Sequence, residues 1–171
     1  MIIGLDPGDS NSDQTVMEKE IKLDITKRLK DLLEAFNGVE VLIMNVEQLQ
    51  TVDLLISIHS DDVMKHRERC FTSFVSVLAD GRTRRVQCWL HNFIMTRLRK
   101  YQIIDNGKRN DTELETGKLE ILRHIKVPAI ALTVLQMKNK SDQQLLMNEE
   151  FRAFYAQAIA DGIANVYQYS K

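Results

Sequence analysis

Three carboxylates and one imidazole stand where apolar runs of this chain give out. Ile2-Ile3-Gly4-Leu5 breaks into Asp6-Pro7-Gly8-Asp9, Glu18 opens a helical pattern three residues after Thr15, and Asp53-Leu54-Leu55-Ile56-Ser57-Ile58 ends on His59. Carboxylate oxygens and imidazole nitrogens are groups that hold metal ions and move protons near neutral pH. Each also has a plain structural account. Asp9 suits a turn, Glu18 fits the Ser/Thr-x-x-Glu capping box begun by Thr15, and a histidine at a strand end commonly serves as a hydrogen-bonded structural residue. Their joint position favours chemistry, since open α/β sheets build their sites at the carboxyl ends of strands.

The elements that must position them follow from periodicity. Ile2, Ile3 and Leu5 suit a central strand, which stops because Pro7 cannot donate to a ladder and Gly8 can take positive φ. Ile21, Ile25, Leu29, Leu32, Leu33 and Phe36 make the apolar stripe of a helix that Asn37-Gly38 ends. Short strands are expected at 39–44, at 52–58 and at 71–79, where Asp80-Gly81 closes the run. From Arg84, the residues Val86, Leu90, Phe93, Ile94, Leu98 and Tyr101 predict a second helix, with Trp89 and Phe93 assigned to the core. Residues 108–117 read as a loop, 118–122 and 129–135 as two last strands, and 137–142 as a polar loop. Phe151, Phe154, Tyr155, Ala158, Ile159, Ile163 and Val166 mark a closing helix. This alternation predicts an α/β fold: a single domain over 1–171, with an open, mostly parallel sheet of about five to six strands and helices on both faces.

Composition narrows the function. The 171 residues are 44% hydrophobic, enough for one sizeable core, and a formal net charge of -1 gives no global attraction to nucleic acid or to an anionic membrane. Cys70 and Cys88 are too few for a disulfide scaffold and read as reduced, buried thiols. The first residues lack the charged and apolar regions of a secretory leader, and no apolar run reaches the length of a membrane span. A soluble, cytoplasmic product is expected, reaching a cell wall only through lysis or a separate export route.

Four stretches taken together carry a family likeness: residues 1–10, Glu18-Lys19-Glu20-Ile21-Lys22-Leu23, Asp53 to His59, and Pro128-Ala129-Ile130-Ala131-Leu132-Thr133. In order and distance they resemble the zinc-dependent N-acetylmuramoyl-L-alanine amidases, which hydrolyse peptidoglycan, and the match runs on to Ala160-Asp161-Gly162-Ile163. In that family zinc is held by a histidine in an Asp-Pro-Gly-His loop, by the glutamate opening the first helix and by the histidine of Ser-Ile-His. A glutamate five residues after the proline of the last strand is the catalytic base. The resemblance therefore implies Asp9, Glu18 and His59 as the metal positions and Thr133 as the position of the base. It also implies a connection longer than residues 45–51 before Val52.

The two departures act differently. Aspartate in place of histidine keeps an oxygen donor but has a shorter reach, and a second carboxylate lowers the Lewis acidity of the ion. Threonine has no useful basicity, and losing one general acid/base removes roughly 10²–10⁴-fold of rate. Asp61, Asp62, Glu149 and Glu150 are the nearest candidates for a replacement base. His66 and Cys70 are spaced as one helical turn but are too few for a second metal site. Lys65-His66-Arg67-Glu68-Arg69 and Arg82-Thr83-Arg84-Arg85 read as solvated faces. The expectation is an amidase fold that has lost hydrolysis and acts by binding or assembly. Its partner would be a peptidoglycan fragment or a protein, with zinc held weakly or not at all. The alternative is an active zinc amidase cleaving the muramoyl-L-alanine bond with Asp9, Glu18 and His59.

Overall fold

The structure, a computed structural model, describes residues 1–8, 15–44, 52–60, 69–114 and 119–168. Its sheet has six strands: β1 (Ile2–Asp6), β2 (Glu40–Ile43), β3 (Leu54–His59), β4 (Cys70–Val75), β5 (Ile104–Asn110) and β6 (Ala129–Val134). They lie in the order β2-β1-β3-β6-β4-β5. Every neighbouring pair is parallel except β4 with β6. The four helices are α1 (Val16–Glu34), α2 (Gly81–Leu98), α3 (Lys140–Met147) and α4 (Glu149–Tyr167).

β1, β3, β4 and β6 were expected from apolar content, and β3 and β6 are buried along their whole length. Ile3, Leu5, Ile56, Ile58, Ile130 and Leu132 join the stripes of α1, α2 and α4 in one core. Gly4, Leu55, Phe74, Ala129 and Ala131 belong to the opposite face, which packs on Met44, Val52, Leu114 and a 3-10 turn at Glu120–Leu122. Leu119 to Leu122 is therefore not a strand. The sixth strand is β5, in a stretch assigned to a helix end and a loop. Its sequence, Ile-Asp-Asn-Gly-Lys-Arg-Asn, is polar because it lies at the edge of the sheet, and Asn106-Gly107 forms a bulge opposite Thr72 rather than a hairpin turn. The expected 137–142 loop gives way to α3, whose N-cap Asn139 accepts the amides of Ser141 and Asp142.

Other assignments also change. Trp89 is 65% exposed on the outer face of α2, Phe93 is half-buried beneath the Arg97 guanidinium, and Cys88 is exposed while Cys70 is buried. Arg82, Arg84 and Arg85 lie on a solvated face, as expected. Residues 45–51 and most of 65–69 lie outside the described residues.

Two packing features give testable consequences. A Cβ on Gly162 of α4 would come within 2.7 Å of Leu90 Cδ1 on α2, and Leu90 is fully buried. Overpacking costs about 1–3 kcal/mol whereas the helix gains at most about 1 kcal/mol from alanine, so Gly162→Ala should lower the melting temperature.

His91 of α2 sits 2.9 Å from Ser73 Oγ of β4 and 2.9 Å from Asp105 Oδ1 of β5, tying the helix to both strands. Burial pushes the imidazole below its ordinary value, against the pull of Asp105 and with the repulsion of Lys108. For Asp105, burial works upward, but the His91 hydrogen bond and the Gly107 amide hold its carboxyl below the usual range. Both folded values are depressed, so the unfolded chain binds more protons as the solution acidifies, and stability is lost as pH falls. The loss should begin near about pH 6.5, the ordinary imidazole value, and should be shallower in His91→Gln, read as melting temperature against pH.

Candidate functional site

The chain leaves β1 through α1 to β2 on one side and returns to β3 on the other, so the carboxyl ends of β1 and β3 flank a switch in strand order. Open sheets place their binding crevices there. Register brings Asp6 opposite Ser57, His59 opposite Thr133, and Thr133 opposite Thr72 of β4. Strand alternation puts these residues on one face, where Asn106 Nδ2 of β5 donates to Thr72 Oγ1 at 3.0 Å. A polar row thus crosses five strands at the end of an apolar sheet. All six side chains are buried, so their hydrogen bonds decide whether the row stabilises the fold.

Ser57 is the centre of the row. Its hydroxyl donates to Asp6 Oδ2, and His59 Nε2 lies 2.7 Å from Ser57 Oγ. A hydroxyl has one proton; with that proton on the Asp6 side, His59 must supply its own on Nε2. The lone pair of the neutral ring is then on Nδ1. Gly8, at φ +67°, closes on the ring. A Cβ there would collide with the Ile58 carbonyl and lie 3.2 Å from His59 Cε1 and Nδ1, so the turn after β1 needs glycine on two counts.

Two side chains come from α1. Thr15 caps the helix by accepting the Glu18 amide at 3.2 Å, and Glu18 Oε1 accepts from Ser60 Oγ at 3.2 Å. The glutamate therefore joins the helix start to the residue after His59, beyond the local capping role its spacing suggests. One turn further on, Lys22 is fully buried and its Nζ donates to Gly8 O at 2.7 Å. Gly8 thus meets the lysine through its carbonyl and, by lacking a Cβ, makes room for the histidine ring. Sequence reasoning missed Lys22; the available signal was its place four residues after Glu18, on the same side of the helix.

The model of the N-acetylmuramoyl-L-alanine amidase family matches residues 3–165. The chain belongs to this family. It is 26% identical over 188 residues to an endolysin of Bacillus phage SPP1, a match spanning 99% of this chain and 67% of that one. Its fold is that of an N-acetylmuramoyl-L-alanine amidase from Clostridium difficile 630, with a TM-score of 0.79, 17% identity and coverage of 98% and 96% of the two chains. An amidase of Nostoc punctiforme also superposes with a TM-score of 0.79, at 20% identity over 98% and 97% of the chains.

Amidases of this family are generally metal-dependent. Here Glu18 and His59 converge on the same strand end, while Asp9, Asp61, Asp62 and His66 lie outside the described residues. Glu149 is not brought to the site. It pairs with Arg28, ten residues or roughly 15 Å along α1 from Glu18, and Glu150 shares its exposed first turn of α4. Among the described residues no three His, Cys, Asp or Glu side chains are grouped to hold a metal ion. Glu18 and His59 each engage a serine, and the buried Lys22 ammonium is bonded to the Gly8 carbonyl in the adjoining turn. The described residues thus bring two donors to this strand end, fewer than the three protein ligands of a catalytic zinc.

The Ser57 arrangement is open to test by nitrogen NMR. His59 should show the Nε2–H tautomer in the parent protein. Ser57→Ala removes its fixed acceptor and leaves Asp6 without the hydroxyl. The variant should lose the single tautomer and about 1–3 kcal/mol of stability, read from denaturant unfolding.

Proposed function

We propose that this amidase-family chain engages the muramoyl-peptide region of peptidoglycan and does not hydrolyse it at a rate useful for lysis. The observation that carries this reading is Thr133, in register with His59 where the resemblance puts the general base. A hydroxyl there accepts a hydrogen bond but takes no proton from water at neutral pH. Its cross-strand neighbour is the hydroxyl of Thr72, so that position brings in no carboxylate from β4 either. The strand ends carry hydroxyl, imidazole and amide side chains, and a saccharide-peptide with its own amides and hydroxyls is a polymer that can exchange hydrogen bonds with them. The phage endolysin relative supports a cell-wall polymer as the target.

A second reading keeps hydrolysis, with zinc on Asp9, Glu18 and His59. It is favoured by the ring orientation of His59, since proton placement on Nε2 gives Nδ1 the lone pair that a metal ligand needs. One pair of measurements separates the two. The purified chain should sediment with isolated peptidoglycan, and release of new L-alanine amino termini should be at least roughly 10²-fold slower than with the phage endolysin. Release at the endolysin's rate establishes the second reading; failure to sediment removes the first.

A further inference from the structure

We propose that the Lys22 ammonium is the resident cation of this site and that its charge keeps zinc out. A lysine with no exposed surface is rare, because removing an ammonium from water is costly unless hydrogen bonds and opposite charge surround it. This one sits one helical turn after Glu18. Its Nζ is bonded to Gly8 O, and Gly8 is the residue whose missing Cβ leaves room for the His59 ring. The lysine is thus tied to the meeting point of the β1 turn, the start of α1 and the end of β3, which the resemblance assigns to a metal ion.

Two consequences follow from elementary electrostatics. A fixed positive charge buried one helical turn from the buried Glu18 offsets that carboxylate's charge, so the site forms without a divalent ion. The same charge repels a divalent ion entering beside it, and low effective permittivity makes that repulsion large. Hydrogen bonding reinforces both effects. The Lys22 bond to Gly8 O anchors the β1 turn, while Ser60 and Ser57 occupy Glu18 Oε1 and His59 Nε2. Lys22 is accordingly a positioning residue with an electrostatic task.

The inference deepens the non-hydrolytic reading and rests on it, but its test measures neither wall binding nor turnover, so each can fail alone. The full chain is titrated with zinc by calorimetry, as the parent, as Lys22→Met and as Lys22→Gln, with circular dichroism confirming the fold of each. The parent should show weak or no saturable uptake. Either neutral variant should bind zinc about tenfold or more tightly. Adding Glu18→Ala or His59→Ala to that variant should abolish the gain. Stoichiometric, tight zinc in the parent overturns the proposal with no variant needed. A folded neutral variant with no gain in affinity overturns it as well.

Discussion

The parallel register of β1, β3 and β6 is the constraint on which the site depends. It puts Asp6 beside Ser57 and Thr133 beside His59. Side chains alternate with a period of two, so a slip of one residue in β3 would send Ser57 and His59 into the core beneath the helices and turn Ile56 and Ile58 to the polar end. Burial of Ile3, Leu5, Ile56 and Ile58 therefore locks the chemistry as firmly as it locks the fold. Gly4 contributes from the other face, where a Cβ would collide with Met44 Sδ, so β1 approaches its cover closely there.

The polar row carries a cost that its own contacts must offset. Buried hydroxyls, an imidazole and carboxylates are unfavourable unless paired, and here they are paired largely with one another: Ser57 with Asp6 and His59, Ser60 with Glu18, Asn106 with Thr72. Lys22 belongs to the same network through Gly8 O. Such pairing stabilises the end of the sheet and commits groups that a metal or substrate would otherwise engage. Stability and reactivity draw on the same atoms at this site.

The legible parts of the sequence were those where burial and periodicity coincide. β1, β3, β4 and β6 are apolar runs, and α1 announces itself by its stripe and by Thr15. β5 was hidden because an edge strand need not be apolar, and because Asn106-Gly107 carries the same local signal in a bulge as in a turn. Trp89 was misplaced for a related reason, since it borders the stripe of α2 and only the packing of α4 decides which side is covered. At the site, Glu18 and His59 stood out by residue type and position. Ser57, Ser60 and Lys22 did not, because serine in a strand and lysine in a helix are unremarkable until register shows what faces them.

Thr133 shows what the sheet demands of the position where the resemblance puts a base. The position lies inside β6 and is buried, with Thr72 and His59 as its cross-strand neighbours. A glutamate there would have to keep a charge, or a proton, among groups already satisfied by one another. Threonine is β-branched, favours a strand, and needs only a hydroxyl partner. Threonine therefore leaves no desolvated carboxylate at this end of a central strand, which favours the stability of the sheet. A buried lysine on α1 acts in the same sense, because an internal cation allows the crevice to form without an ion from solution.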